Sequence, residues 1–102
     1  MTEVRVLVYH RADDAEGIEA AYHRVSERMR GVPGMLGNEL LRSVSDGTGF
    51  VVLSKWAGIE DFRTWEAGAD HREDTAPIRP YRDTRAESPF ALYEVAAAHT
   101  GA

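Results

Sequence analysis

Cysteine is absent from the 102 residues of this chain. That excludes disulfides, thiolate metal sites and cysteine nucleophiles together. The absence leaves the compartment open and fits a cytoplasmic protein. No apolar run approaches the roughly 20 residues that a membrane-spanning helix needs. The opening MTEVRVLVYH has neither the charged start nor the long apolar stretch of a secretory signal. Positive charge is in deficit: 12 Lys and Arg face 17 Asp and Glu, a net charge of −5. No basic stripe stands out, so no nucleic-acid partner is expected. No HExxH spacing, Gly-rich phosphate loop or legible Ser-His-Asp arrangement is present. No protein metal site or flavin site therefore has local support. The length fits one small domain, residues 1–102, with a thin core.

What is present reads as alternating strands and helices. Residues 3–10, EVRVLVYH, predict a strand with Val4, Val6 and Val8 facing one way and Leu7 and Tyr9 the other. Asp13 and Asp14 offer an N-cap. Ile18, Ala21, Tyr22, Val25 and Met29 then recur at helical spacing, and the helix should end near Gly31. Residues 35–44 and 50–56 predict two further strands, joined by SDGTG, whose Asp-Gly suits the positive φ of a tight turn. Ile59, Phe62 and Trp65 mark a second helix that Gly68 breaks. His71 to Ile78 predicts a short helical turn stopped around Pro77 and Pro80, and residues 89–97 a final strand.

The order β-α-β-β-α-β predicts an α+β, ferredoxin-like fold with helices on one face of an antiparallel sheet. Several strands are apolar on both sides, as in Val6 and Leu7, Val51 and Val52, and Leu92 and Tyr93. The helices can cover only one face. The other would leave an apolar patch larger than soluble monomers expose. A homodimer is therefore expected, with a second subunit covering that face.

Four segments carry a resemblance. They are PGMLGNELLRS after the first helix, FVVLSKWAGIEDFRTW, the step from Trp65 to His71 followed by Arg72, and the ending FALYEV. In order and spacing they resemble the antibiotic biosynthesis monooxygenase family of the dimeric α/β-barrel superfamily. The resemblance implies a homodimer with a pocket in each subunit between sheet and helices. Its implied activities include cofactor-independent oxidation of a planar aromatic, such as a polyketide-type phenol or anthrone, by dioxygen. Haem-degrading monooxygenases also belong to that family. An aromatic polyketide cyclase and a non-catalytic ligand-binding accessory protein are alternatives on the same scaffold.

The resemblance also assigns roles. Trp56 falls where the polyketide oxygenases place a pocket tryptophan, and its indole N–H could donate to a quinone or phenol oxygen. Phe62 stands where those enzymes carry a tyrosine, and Val52 where they carry an asparagine. Both are departures that remove polar handles. Trp65 and His71 resemble the tryptophan and haem-ligating histidine of the haem degraders, though Val6 replaces their first-strand asparagine. His71 is the expected general base, because imidazole titrates near neutrality. Asp70, Glu73 and Asp74 would favour its protonated form if close. Arg79 is the expected partner of a phenolate or enolate. Phe62, Trp65, Tyr81 and Tyr22 are expected to bind the substrate.

Overall fold

The computed structural model describes residues 2–85, 87–88 and 90–101. The elements in chain order are β1 (Val4–Arg11), α1 (Ala15–Arg28), β2 (Met35–Arg42) and β3 (Gly49–Trp56). After them come α2 (Ile59–Ala67), α3 (His71–Thr75), a 3-10 turn (Ala76–Tyr81) and β4 (Phe90–Glu94). The strands form one four-stranded antiparallel sheet in the order β2-β3-β1-β4. This is the expected ferredoxin-like α+β topology.

Alternation fixes what each sheet face carries. Val4, Val6, Val8 and His10 on β1 pair with Trp56, Ser54, Val52 and Phe50 on β3, and all eight point to the helices. Ile18, Ala21 and Val25 on α1 and Phe62 on α2 close over them. Trp56 and Ile18 are fully buried at the centre, each 0% exposed. The opposite face carries Leu7, Tyr9, Leu41, Val51, Leu53, Ala91 and Tyr93 and has no helix against it. On that face Leu41 is 41% exposed and Tyr93 57%.

Two glycines have positive φ, Gly31 at 80° and Gly34 at 82°, where residues with a Cβ are strained. Gly34 is also sterically confined: a Cβ there would lie 2.3 Å from the Asp61 side chain on α2. Its carbonyl accepts a hydrogen bond from the Ala57 N–H at 2.8 Å. The start of β2 is thus clamped to the entry of α2.

The structure corrects several local expectations. Asp14 is the N-cap of α1, but its side chain makes no capping hydrogen bond. The β2–β3 turn does not use positive φ at Gly47, because side chains close it instead. Asp46 accepts from the Thr48 N–H at 3.1 Å and the Thr48 hydroxyl at 2.8 Å, and Arg11 pairs with it at 2.9 Å. The hydroxyl and backbone N–H of Thr48, and then Arg11, hold the Asp46 carboxyl below its ordinary value. The segment after His71 does stop around its prolines as expected: α3 ends at Thr75, just before Pro77, and the 3-10 turn ends at Tyr81, just after Pro80. Pro77 sits at the start of that turn, where no N–H is required. The last strand ends at Glu94 rather than residue 97, and its expected start at Pro89 lies outside the described residues.

In β2, Met35 pairs with Trp56 but Gly37 pairs with Lys55, so Leu36 is the extra residue of a β-bulge. In an unbroken strand Met35 and Asn38, an odd number of residues apart, could not both face the helices.

Candidate functional site

Between the sheet and the helices lies a cavity of about 350 Å3, within the range of small-molecule sites. Val6, Val8 and Val52 form its sheet wall, and Met29, Phe62, Trp65 and Ile78 much of the helix side. The polar lining is sparse. His71 and Arg79 stand on α3 and the 3-10 turn, Tyr22 and Ser26 on α1, and Asn38, Ser54 and His10 on the sheet.

The predicted aromatic residues are gathered, though not all on the cavity. Trp56, Phe62 and Trp65 form a stack with centroids 5.5 Å apart for Trp56–Phe62 and 5.6 Å for Trp56–Trp65. Phe62 and Trp65 line the cavity, whereas Trp56 sits behind them. The Trp56 indole N–H donates to the Ser54 hydroxyl at 2.9 Å. The expected direct bond from this indole to substrate is therefore replaced by one to a neighbouring side chain. Trp65 donates its N–H to Asp74 at 3.3 Å, which ties α2 to α3. Tyr81 packs against the core near Gly17 and does not reach the cavity. Tyr22 does, and its hydroxyl donates to the Asn38 side-chain oxygen.

His71 meets the Trp65 ring edge to face, with centroids 4.5 Å apart and planes at 86°. Its pKa is lowered from the ordinary 6.5, first by burial and then by the Arg79 guanidinium, against the opposing pull of Glu66 and Asp74. Of the three acids expected to favour protonation, only Asp74 is close enough to act, and desolvation outweighs it. The imidazole is therefore neutral at pH 7, the form a base requires. The Arg79 Nε is buried without a hydrogen-bond partner among the described residues. A buried donor of this kind is costly unless something meets it.

His10 was not among the expected site residues, yet it lines the cavity and is only 4% exposed. Its Nδ1–H donates to the Val8 carbonyl at 2.9 Å, and burial lowers its pKa. The alternation of Val4, Val6 and Val8 was the available signal, since His10 continues the same parity. Asn38 was also missed. The bulge at Leu36 breaks the alternation that would have placed it.

Among the described residues, no group of three or more His, Asp or Glu side chains could hold a metal ion. No described helix is long and apolar enough to cross a membrane.

Comparison with known proteins agrees with this picture. The family model for antibiotic biosynthesis monooxygenase matches residues 1–74. Protein SchA of Streptomyces halstedii is 32% identical over 96% of this chain. The 42.8 kDa protein in the whiE locus of Streptomyces coelicolor is 29% identical over 63% of it. The chain spans only 27% and 16% of the lengths of these two relatives. Among solved structures, SnoaB, a cofactor-independent oxygenase from Streptomyces nogalater, superposes with a TM-score of 0.73 at 20% identity, covering 98% of this chain and 97% of that one. A conserved protein from Methanosarcina mazei Go1 gives 0.72 at 12% identity, over 91% and 92% of the two chains. At such identities these two structures establish the shared fold alone.

Proposed function

This chain belongs to the antibiotic biosynthesis monooxygenase family, and from that premise we propose that it is a cofactor-independent monooxygenase acting on a planar aromatic substrate. One observation carries the reading. An apolar cavity holds a neutral imidazole, His71, beside Arg79, a cation with an unmet donor. That pairing suits removal of a proton from carbon and stabilisation of the resulting delocalised anion. The cofactor-independent oxygenase SnoaB, which shares the fold, adds support by analogy.

For an anthrone the step balances without an added reductant. His71 takes a C–H proton, and the carbanion bonds to dioxygen. The peroxide takes up a proton. The second C–H proton then leaves as the O–O bond breaks, giving a ketone and water. Phe62 and Trp65 supply the flat apolar walls. A cavity of about 350 Å3 is at the small end of the pocket range. It suits a few fused rings better than a haem macrocycle.

The protein works as a homodimer in this reading, its subunits joined through the helix-free sheet face. That face presents Leu7, Leu41, Val51, Leu53 and Tyr93 together, an apolar surface of the kind that pairs with a copy of itself.

Purified, metal-free protein should consume dioxygen with an anthrone, and mass spectrometry should show a product that has gained oxygen. Uptake no faster than in protein-free buffer would sink the proposal for that substrate class. Loss of water without oxygen gain would mark a cyclase. Binding without turnover would mark an accessory protein.

A further inference from the structure

We infer that Asn38 and Ser54 form a two-donor site for one ligand oxygen on the sheet wall of the cavity. The inference rests on the reading of that cavity as an aromatic-ligand site. The two residues are direct partners in the β2–β3 ladder, and both line the cavity. Directly opposed residues in an antiparallel pair hold their Cβ atoms roughly 5 Å apart. Two donors so placed can converge on a single oxygen.

The groups behind these side chains orient them. The Asn38 Oδ1 accepts hydrogen bonds from the Tyr22 hydroxyl and, at 3.2 Å, from the Ser26 hydroxyl. An amide oxygen has two lone pairs, so both are taken, and the Nδ2 hydrogens are what the group has left to offer. Among the described residues Nδ2 has no partner. The Ser54 Oγ accepts the Trp56 indole N–H at 2.9 Å. An indole can only donate, so the serine hydrogen is free to point elsewhere. In both cases the acceptor side is filled from within the protein and the donor side is left for the cavity.

Val6, Val8 and Val52 surround this pair on the sheet wall. An oxygen bound there would be largely shielded from water, where a donor pair is worth more than at the surface. Tyr22, Ser26 and Trp56 are positioning residues in this arrangement. The ligand class follows: a flat polycycle bearing a ketone, quinone or phenolate oxygen at its edge. The pair supplies the polar handle that the asparagine-to-Val52 and tyrosine-to-Phe62 departures remove.

The test is a ratio of affinities, read from quenching of tryptophan fluorescence by 9,10-anthraquinone and by anthracene, which lacks the oxygens. Wild type should prefer the quinone. Asn38→Leu and Ser54→Ala should each cut that preference about three- to tenfold, the range of one lost hydrogen bond. A ratio cancels any general loosening of the cavity, including the effect of releasing the Trp56 N–H. If Asn38→Leu fails to fold by circular dichroism, Ser54→Ala, which deletes one oxygen, decides the matter alone. Equal affinity of wild type for both compounds overturns the inference, as does a preference unchanged in the variants. A preference that the variants abolish, in a protein that consumes no dioxygen, upholds the donor pair and removes only the oxygenase reading.

Discussion

Replacing Arg79 with methionine should raise stability while lowering activity. Two observations set the expectation. The Arg79 Nε is buried with no partner among the described residues, and the guanidinium is the second cause, after burial, of the lowered His71 pKa. An unmet buried polar group costs about 1–3 kcal/mol. Only one atom of a half-buried side chain is concerned, so the lower end applies. Methionine keeps most of the aliphatic packing. A gain of about 1 kcal/mol corresponds to a rise of roughly 4 °C or more in Tm for a domain near 100 residues. The melt belongs at pH 8, where His71 is neutral in both the folded and unfolded chain.

The effect on His71 has a definite sign. Removing a nearby positive charge raises its pKa toward the ordinary 6.5. In wild type the unfolded chain takes up the proton first as pH falls below 6.5. Stability is therefore lost between that value and the lower folded one. The variant should lose less. Activity should drop at both pH values through loss of the anion partner, on the order of a hundredfold for one such donor. It should drop further at pH 6 than at pH 8, because the base is protonated sooner. Circular dichroism melts, imidazole titration by NMR and an oxygen electrode at the two pH values read all three. A lower Tm together with an unmoved His71 titration would refute the reasoning.

Trp56→Phe should cost about 2–3 kcal/mol, combining lost indole volume with a lost hydrogen bond to Ser54. Urea unfolding should show a lower midpoint at unchanged slope, and a cost below about 0.5 kcal/mol would remove Trp56 from the centre of the core. Leu53→Lys, placed mid-strand opposite Leu7 on the helix-free face, should leave the fold intact and yield monomers in sedimentation equilibrium. A wild type already monomeric at micromolar concentration would sink the dimer.

Elements with strong periodicity were legible in the sequence. The valines of β1, the Ile18–Ala21–Val25 stripe of α1 and the Ile59–Phe62–Trp65 spacing of α2 each bury the side that their pattern marks. Pattern alone did not show the depth of each aromatic side chain. Trp56 and Trp65 are alike in type and both near the strand-to-helix junction, but one is enclosed and the other faces the cavity. That difference depends on where each ring is anchored: Trp56 rises from the sheet beneath α2, against Phe62 and Trp65, while Trp65 is carried by α2 itself. The direction of the His71 shift was likewise hidden, because Asp70 and Glu73, close in sequence, are not among the charges that move it, whereas the distant Arg79 and Glu66 are. The turn at Asp46 was misread because an Asp-Gly pair signals a backbone conformation, while here the carboxylate forms the closure.

The extra residue at Leu36 has a broader consequence. Because it resets the alternation of β2 partway along, its presence changes the length of the strand and not the set of side chains turned to the helices. Loss of that residue would restore plain alternation, leaving Met35 two positions from Asn38 with both still facing the helices. Relatives could thus gain or lose the bulge by a change in length alone, with no alteration in which side chains of β2 wall the ligand chamber.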